Sequence, residues 1–316
     1  PVARALAAPG TDGVCAARLG PGGAGHFAKM VHNGIEYADM QMIAEVYGLL
    51  RDAGGQTAPQ IGALFESWQK GPLSSYLIEV SAAALQTVDA ESGTPMVDLI
   101  LDKAGQKGTG RWTLIEALKL GQSASSIEAA VGARGWSSEK ALRVAAAPLL
   151  PDAVTGGTLP TEDEMKSALL AARILGHAQG FRVLSAASDE FGWQLDMARI
   201  AEIWRAGCII RSALLDDLAD AFHAGLPEGA LILAPAIRDM LGDHLAGLRK
   251  TVAAGVSLGV PMPALSASLA WYDSIRTARG SANLIQAQRD FFGAHGFERG
   301  DIAGAHHGTW NAIRRD

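Results

Sequence analysis

Lys29, Asn33 and Glu36 stand at i, i+4 and i+7 within Gly25-His26-Phe27-Ala28-Lys29-Met30-Val31-His32-Asn33-Gly34-Ile35-Glu36-Tyr37. On an α-helix these three side chains project from nearly one face. An amine, an amide and a carboxylic acid in one column suit proton transfer at two neighbouring atoms of one substrate. His32 and Tyr37 flank the column. The solvated face of an ordinary surface helix gives the same spacing, so both readings stand on these residues alone. Two details favour chemistry. Asn33-Gly34 lies in mid-helix, where both are poor helix formers, so something other than propensity selects them. Met30, Val31, Ala38, Met42 and Ile43 make the opposite side apolar, which fixes the helix to a core and presents the polar column rigidly.

Other charged candidates are weaker. Gly105-Gln106-Lys107-Gly108-Thr109-Gly110-Arg111-Trp112 joins two predicted helices and reads as a plain connecting loop or as a loop for phosphate or carboxylate. It is not a Walker A loop, because Gly108 follows Lys107. Arg134 sits in a predicted loop, and Arg289 and His295 open a glycine-rich tail; alone, each is ordinary surface. Gly20-Pro21-Gly22-Gly23-Ala24-Gly25 satisfies G-x-G-x-x-G, but a long helix and then a second helix follow it. A dinucleotide site needs a second parallel strand with an acidic residue at its end. The stretch is read as a helix entrance. His306-His307 have no carboxylate or cysteine at ligand spacing, so no metal is expected.

The elements that must position these residues are helical. Period-3.6 patterning predicts helices near 25–50, 59–70, 73–88, 95–104, 113–120, 125–133, 138–147, 162–186, 193–206, 209–222, 236–257 and 263–288. Thr113-Leu-Ile-Glu116 and Thr161-Glu-Asp-Glu164 read as capping boxes at helix starts. A strand is expected only near 13–19. Glu66-x-Trp68-x-x-Gly71 recurs as Glu202-x-Trp204-x-x-Gly207, which suggests either an internal duplication or a chance match. The fold expected is all-α: a large helical domain at 25–290, preceded by a Gly-, Pro- and Ala-rich stretch at 1–24 and followed by an extended tail at 291–316. With 316 residues, 48% of them hydrophobic and 19% charged, the chain has an ordinary globular balance. A net charge of −6 gives no support for nucleic-acid binding, so an anionic substrate needs a local basic cluster. Two cysteines are too few for a disulfide framework. No membrane span or signal peptide is read, and a cytoplasmic protein is expected.

Four separated motifs, in order, resemble the 6-phosphogluconate dehydrogenase family of decarboxylating enzymes. They are the run from Gly22 to Tyr37, Asp102-x-Ala-Gly-Gln-Lys107-Gly-Thr-Gly-x-Trp-Thr113, Ala282-Asn-Leu-Ile-Gln-Ala-Gln-Arg289-Asp-x-Phe-Gly-Ala-His295, and His307-x-x-Trp310. The resemblance covers nearly the whole chain and is to the family's helical domain and tail. By this resemblance residues 1–24 are a remnant of the family's N-terminal α/β, NADP-binding domain, most of which has no counterpart here.

The resemblance implies 6-phosphogluconate as substrate and NADP as cofactor, the latter bound mainly outside this chain and without a metal. It makes Lys29 the base that takes the 3-hydroxyl proton, a role that needs the neutral amine, and Glu36 the acid that protonates the enediol left by decarboxylation. Asn33 and His32 would bind hydroxyls and carboxylate; Tyr37, Lys107 and Arg134 would meet the phosphate. Arg289 and His295 would come from the partner in a homodimer. The chain by itself would be inactive without a nicotinamide site. A non-catalytic helical module that binds a sugar phosphate, or only dimerises, is the other reading of the same residues.

Overall fold

A computed structural model describes residues 5–10, 13–151 and 154–310. Among the described residues are thirteen α-helices and two two-stranded antiparallel sheets, so the all-α expectation holds. The first half carries β1 (Pro9–Gly10), β2 (Gly13–Val14), α1 (Ala24–Gly48), α2 (Ala58–Trp68), α3 (Tyr76–Gln86), α4 (Met96–Leu99), α5 (Thr109–Lys119), α6 (Ser125–Ser138) and α7 (Lys140–Ala146). The second carries α8 (Glu162–Phe191), α9 (Met197–Trp204), α10 (Leu214–Ala224), α11 (Pro235–Ser257), α12 (Pro263–Ile275), α13 (Ala282–Gly293), β3 (Phe297–Glu298) and β4 (Ala305–His306). Two compact units are formed, residues 1–269 and 270–316. Of the predicted remnant and tail, residues 1–4, 11–12 and 311–316 lie outside the described residues.

The first unit is built around α1 and α8. Val31, Ile35, Ala38, Met42 and Val46 of α1 are fully or almost fully buried. Helix α8 opens on the expected capping box: Glu164 N–H donates to Thr161 Oγ1 at 3.2 Å, and Thr161 N–H to Glu164 Oε2 at 2.9 Å. It is buried all round its middle and packs on both α1 and α11. Close approach of α1 and α8 depends on Gly180, where a Cβ would stand 2.6 Å from Ile35 Cδ1. Arg173 on α8 donates from Nε to Asp39 Oδ2 on α1 at 3.1 Å, with both side chains fully buried.

The repeated motif closes a helix each time, at Trp68 in α2 and at Trp204 in α9. The segments after the two motifs then pair: Tyr76 N–H donates to Arg211 O at 3.1 Å and Ala213 N–H to Ser74 O at 3.0 Å. Helix starts at Ala24, Ala58 and Tyr76 are matched 138, 139 and 138 residues later by Glu162, Met197 and Leu214. This repeated order of a long helix and two short ones favours duplication over chance.

Several boundaries differ from the pattern. Thr113 does not start a helix. Helix α5 begins at Thr109, after Gly108 with φ 99°, and Thr113 is buried in its second turn. Its hydroxyl donates to Met30 O at 2.8 Å and lies 3.1 Å from Thr109 O. The predicted helix at 95–104 is a single turn, because Ile100 is extended and Asp102 is held outward by Arg143 and Lys140. The predicted helix at 263–288 is two, α12 and α13, with Thr277 and Gly280, both poor helix formers, in the gap. Strand β2 covers only Gly13–Val14 of the stretch 13–19.

Candidate active site

All five predicted residues of the first motif lie on α1. The mid-helix Asn33-Gly34 is explained by packing: a Cβ on Gly34 would stand 2.8 Å from both Oγ1 and Cγ2 of Thr113. Below it, a Cβ on Gly110 would stand 2.6 Å from the Tyr37 ring. Helix α5 therefore presents small or short side chains to α1, and the two helices approach closely enough for Thr113 to reach the α1 backbone. This contact holds the polar face of α1 in place.

On that face, Lys29 Nζ lies 3.2 Å from His32 Nδ1, and the same nitrogen lies 3.1 Å from Asn33 Oδ1. With a lone pair, Nδ1 accepts from Lys29; with a proton, it donates to Asn33. His32 is buried and packs edge-on to the Trp204 ring, 5.3 Å between centroids. Burial first, and then the nearby Lys29 ammonium, bring its imidazole down to about 4, so it is neutral near pH 7. Lys29 is exposed and Asn33 half-buried.

Glu36 is half-buried one turn further along. Burial pushes its carboxyl above the usual range, against the pull of Lys29 and Arg134 and with a small push from Asp39. A carboxyl raised in this way keeps its proton to higher pH than a free one, which suits a proton donor. Arg134 is not in a loop, as the sequence suggested, but on α6. Its guanidinium carbon lies 3.5 Å from the Tyr37 ring centroid, and Nη1 donates to Gly105 O at 3.1 Å. That bond ties Arg134 to the loop that carries Lys107. The same loop is braced by Ala104 N–H donating to Ser137 Oγ at 2.9 Å and by Arg143 Nη1 donating to Asp102 Oδ2 at 2.8 Å. Lys107 itself is exposed.

Lys29 borders two cavities. One, of about 570 Å³, is lined by Asn33, Phe27, Met30, Trp112 and Trp193 among others. Phe27, Phe191 and Trp193 pack their rings together there, with centroids 4.8 to 6.4 Å apart. The other, of about 470 Å³, is lined by His32, Trp204, Cys15 and Cys208. Sequence reasoning missed this aromatic floor. Phe27 and Trp112 sat inside the quoted motifs, but no spacing marked Trp193.

The structure brings together Lys29, His32, Asn33, Glu36, Tyr37 and Arg134, with Lys107 on the loop bonded to Arg134. Arg289, on α13, and His295, just beyond it, belong to the second unit and are both exposed. Around the G-x-G-x-x-G stretch, β2 is two residues long and α1 leads on to α2, so no βαβ unit surrounds it. Among the described residues no group of three or more His, Cys, Asp or Glu is placed to hold a metal ion. No helix among them is long and apolar enough to cross a membrane.

Residues 25–310 match the model of the 6-phosphogluconate dehydrogenase C-terminal domain. A decarboxylating 6-phosphogluconate dehydrogenase of Synechococcus elongatus is 44% identical over 98% of this chain and 67% of its own length. An NADP(+)-dependent decarboxylating enzyme of that name from Bacillus subtilis is 43% identical, with the same coverage of both chains. Among solved structures, the Plasmodium falciparum 6-phosphogluconate dehydrogenase, studied as apoenzyme and in complex with NADP+ and with 6-phosphogluconate, superposes with a TM-score of 0.90. It is 37% identical over 95% of this chain and 65% of that one. The chain thus spans about two thirds of the length of these relatives.

Proposed function

This chain belongs to the 6-phosphogluconate dehydrogenase family, and we propose that it forms the substrate side of an oxidative decarboxylation of 6-phosphogluconate to ribulose 5-phosphate and carbon dioxide. The observation that carries this reading is the convergence of Lys29, His32, Asn33, Glu36 and Tyr37 on one rigid helix face, with Arg134 over the Tyr37 ring. That order suits an extended sugar acid with carboxylate and hydroxyls at the Lys29 end and phosphate at the Arg134 end.

NADP, when bound, accepts the hydride from C3. Its nucleotide part has no βαβ unit among the described residues, but the aromatic floor beside Lys29 fits a flat ring, and Phe27, Met30 and Trp193 would hold it. Lys29 takes the proton from the 3-hydroxyl as C3 is oxidised. Loss of carbon dioxide then breaks the C1–C2 bond and leaves its electron pair in a C2–C3 enediol, while Lys29 returns the proton to the oxygen on C3. Glu36 protonates C2, which becomes C1 of the product, while the proton on the C3 oxygen passes back to Lys29 and the restored ketone becomes C2 of ribulose 5-phosphate. Lys29 and Glu36 lie seven residues apart, roughly 10 Å along the axis, so their flexible side chains reach different atoms of one substrate. Neutral His32 and Asn33 hydrogen-bond the hydroxyls and carboxylate. Lys107, Arg134 and Tyr37 take the phosphate, which gives an acidic protein its local positive site.

Arg289 and His295 of a second copy of this chain complete the phosphate end. Exposed apolar side chains at Leu99, Ile100, Leu101, Trp136, Leu142 and Leu150 support an isologous dimer. Among the described residues no βαβ unit is there to hold the nucleotide, so the chain taken alone is expected to turn over no NADP, and the working compartment is the cytoplasm. Calorimetric titration tests the reading: 6-phosphogluconate is expected to bind saturably, gluconate not, and Arg134→Met to abolish the difference. Equal binding of gluconate, or no binding of either, contradicts it.

A further inference from the structure

Asp290, near the end of α13, is 2% exposed and accepts four hydrogen bonds. Its Oδ1 takes Gly296 N–H at 2.9 Å and His307 Nδ1–H at 2.6 Å. Its Oδ2 takes Gly308 N–H at 2.8 Å and Trp310 Nε1–H at 2.7 Å. All four donors lie further along the chain. The turn that brings them back uses left-handed backbone at Ala294, φ 48°, and Gly296, φ 72°. Hairpin β3–β4 and the Trp310 ring, with centroids 6.2 Å from Phe291 and 6.5 Å from Phe297, brace the returning strand.

Arg289 immediately precedes Asp290, and His295 immediately precedes Gly296. The Asp290 Oδ1 bond to Gly296 therefore closes a short loop whose two ends carry Arg289 and His295. His295 is held from the loop side too: it packs edge-on to Phe292, 6.0 Å between centroids, over Gly293, where a Cβ would stand 2.6 Å from its Nε2. Only a carboxylate, an acceptor at both oxygens, meets four donors; an amide turns an N–H2 toward two of them.

We propose that Asp290 is the positioning residue that sets the spacing of Arg289 and His295, with residues 296–310 as its brace. This rests on the reading that both side chains bind 6-phosphogluconate. Both Asp290 oxygens are engaged by these four donors, so its effect falls on substrate affinity rather than on the chemical step.

The test is Asp290→Asn in the full-length enzyme, with Trp310→Phe as a milder variant that removes one donor, and Arg289→Ala and His295→Ala as references. Asp290→Asn is expected to raise KM for 6-phosphogluconate roughly tenfold or more, as misplaced binding groups do. Its kcat and its KM for NADP are expected to stay near wild type, and amide exchange at Gly296 and Gly308 to speed up. Trp310→Phe shifts the sugar KM in the same direction by less. If the two references raise that KM while Asp290→Asn and Trp310→Phe leave it unchanged, the positioning role is overturned. A loss of activity in both that only tracks loss of folded enzyme, with KM unmoved, overturns it as well. If the references themselves leave KM unchanged, the underlying binding reading fails instead.

Discussion

Lys29 Nζ and Asn33 Oδ1 share one ring nitrogen of His32, at 3.2 and 3.1 Å. Lys29 and Asn33 are thus coupled through an imidazole that burial keeps neutral. His32 is expected to titrate near pH 4 in the folded chain, read by nitrogen NMR of the ring. Lys29→Met removes the second cause of that depression and is expected to move the midpoint upward. Between pH 6.5 and 4 the unfolded chain takes up a proton that the folded chain refuses, so this contribution to stability is full above 6.5 and lost as pH falls. A wild-type midpoint near 6.5 contradicts the placement of His32.

Glu45 gives a pH dependence of the opposite sign. Burial raises its carboxyl to about 7, although Ala264 N–H and Leu265 N–H donate to it at 2.8 and 2.9 Å and Gln41 Nε2 at 3.0 Å. From pH 4.5 to 7 the unfolded chain releases a proton that the folded chain keeps, so stability falls as pH rises across that window. Glu45→Gln is expected to flatten the slope of the urea midpoint there. An unchanged slope means that Glu45 is not the group responsible.

The α1–α5 contact sets a steric test. Gly34→Ala places a methyl 2.8 Å from the Thr113 side chain, and overpacking of this kind costs about 1–3 kcal/mol. Thr113→Ala is expected to relieve part of that cost in a double-mutant cycle measured by denaturant unfolding. Additive effects contradict the close approach.

Arg134→Lys keeps the charge but loses the flat stack on Tyr37 and the Nη1–H bond to Gly105 O. A stack of this kind contributes about 0.5–2 kcal/mol. Affinity for 6-phosphogluconate is expected to fall roughly tenfold, measured by calorimetry against an unaffected melting temperature. Wild-type affinity removes Arg134 from the phosphate site.

The sequence made the helical plan and the α1 column legible, because both follow from period and spacing within one element. It misread Thr113-Leu-Ile-Glu116, since a capping box is a local pattern and the true start of α5 is set by left-handed Gly108 and by burial of Thr113 against α1. Thr161-Glu-Asp-Glu164 was read correctly because the tertiary partner Lys250 bonds Glu164 Oε1 and leaves Oε2 to the Thr161 N–H. Asn33-Gly34 was read as favouring chemistry, whereas Gly34 is required by the close approach of Thr113, which no pattern in the sequence marked. Asp290, Glu45 and the Asp39–Arg173 pair carried no signal, because, Gln41 beside Glu45 apart, their partners lie 6 to 220 residues away and no spacing rule connects them.

The most direct measurement of the assigned roles compares Lys29→Met and Glu36→Gln in the full-length enzyme, following NADPH formation, carbon dioxide release and solvent deuterium at C1 of ribulose 5-phosphate. Lys29→Met is expected to abolish all three. Glu36→Gln is expected to keep a first turnover of oxidation and decarboxylation while deuterium delivery to C1 slows by roughly a hundredfold or more. Near-normal oxidation by Lys29→Met, or undiminished deuterium delivery by Glu36→Gln, contradicts the assignment of base and acid to this helix face.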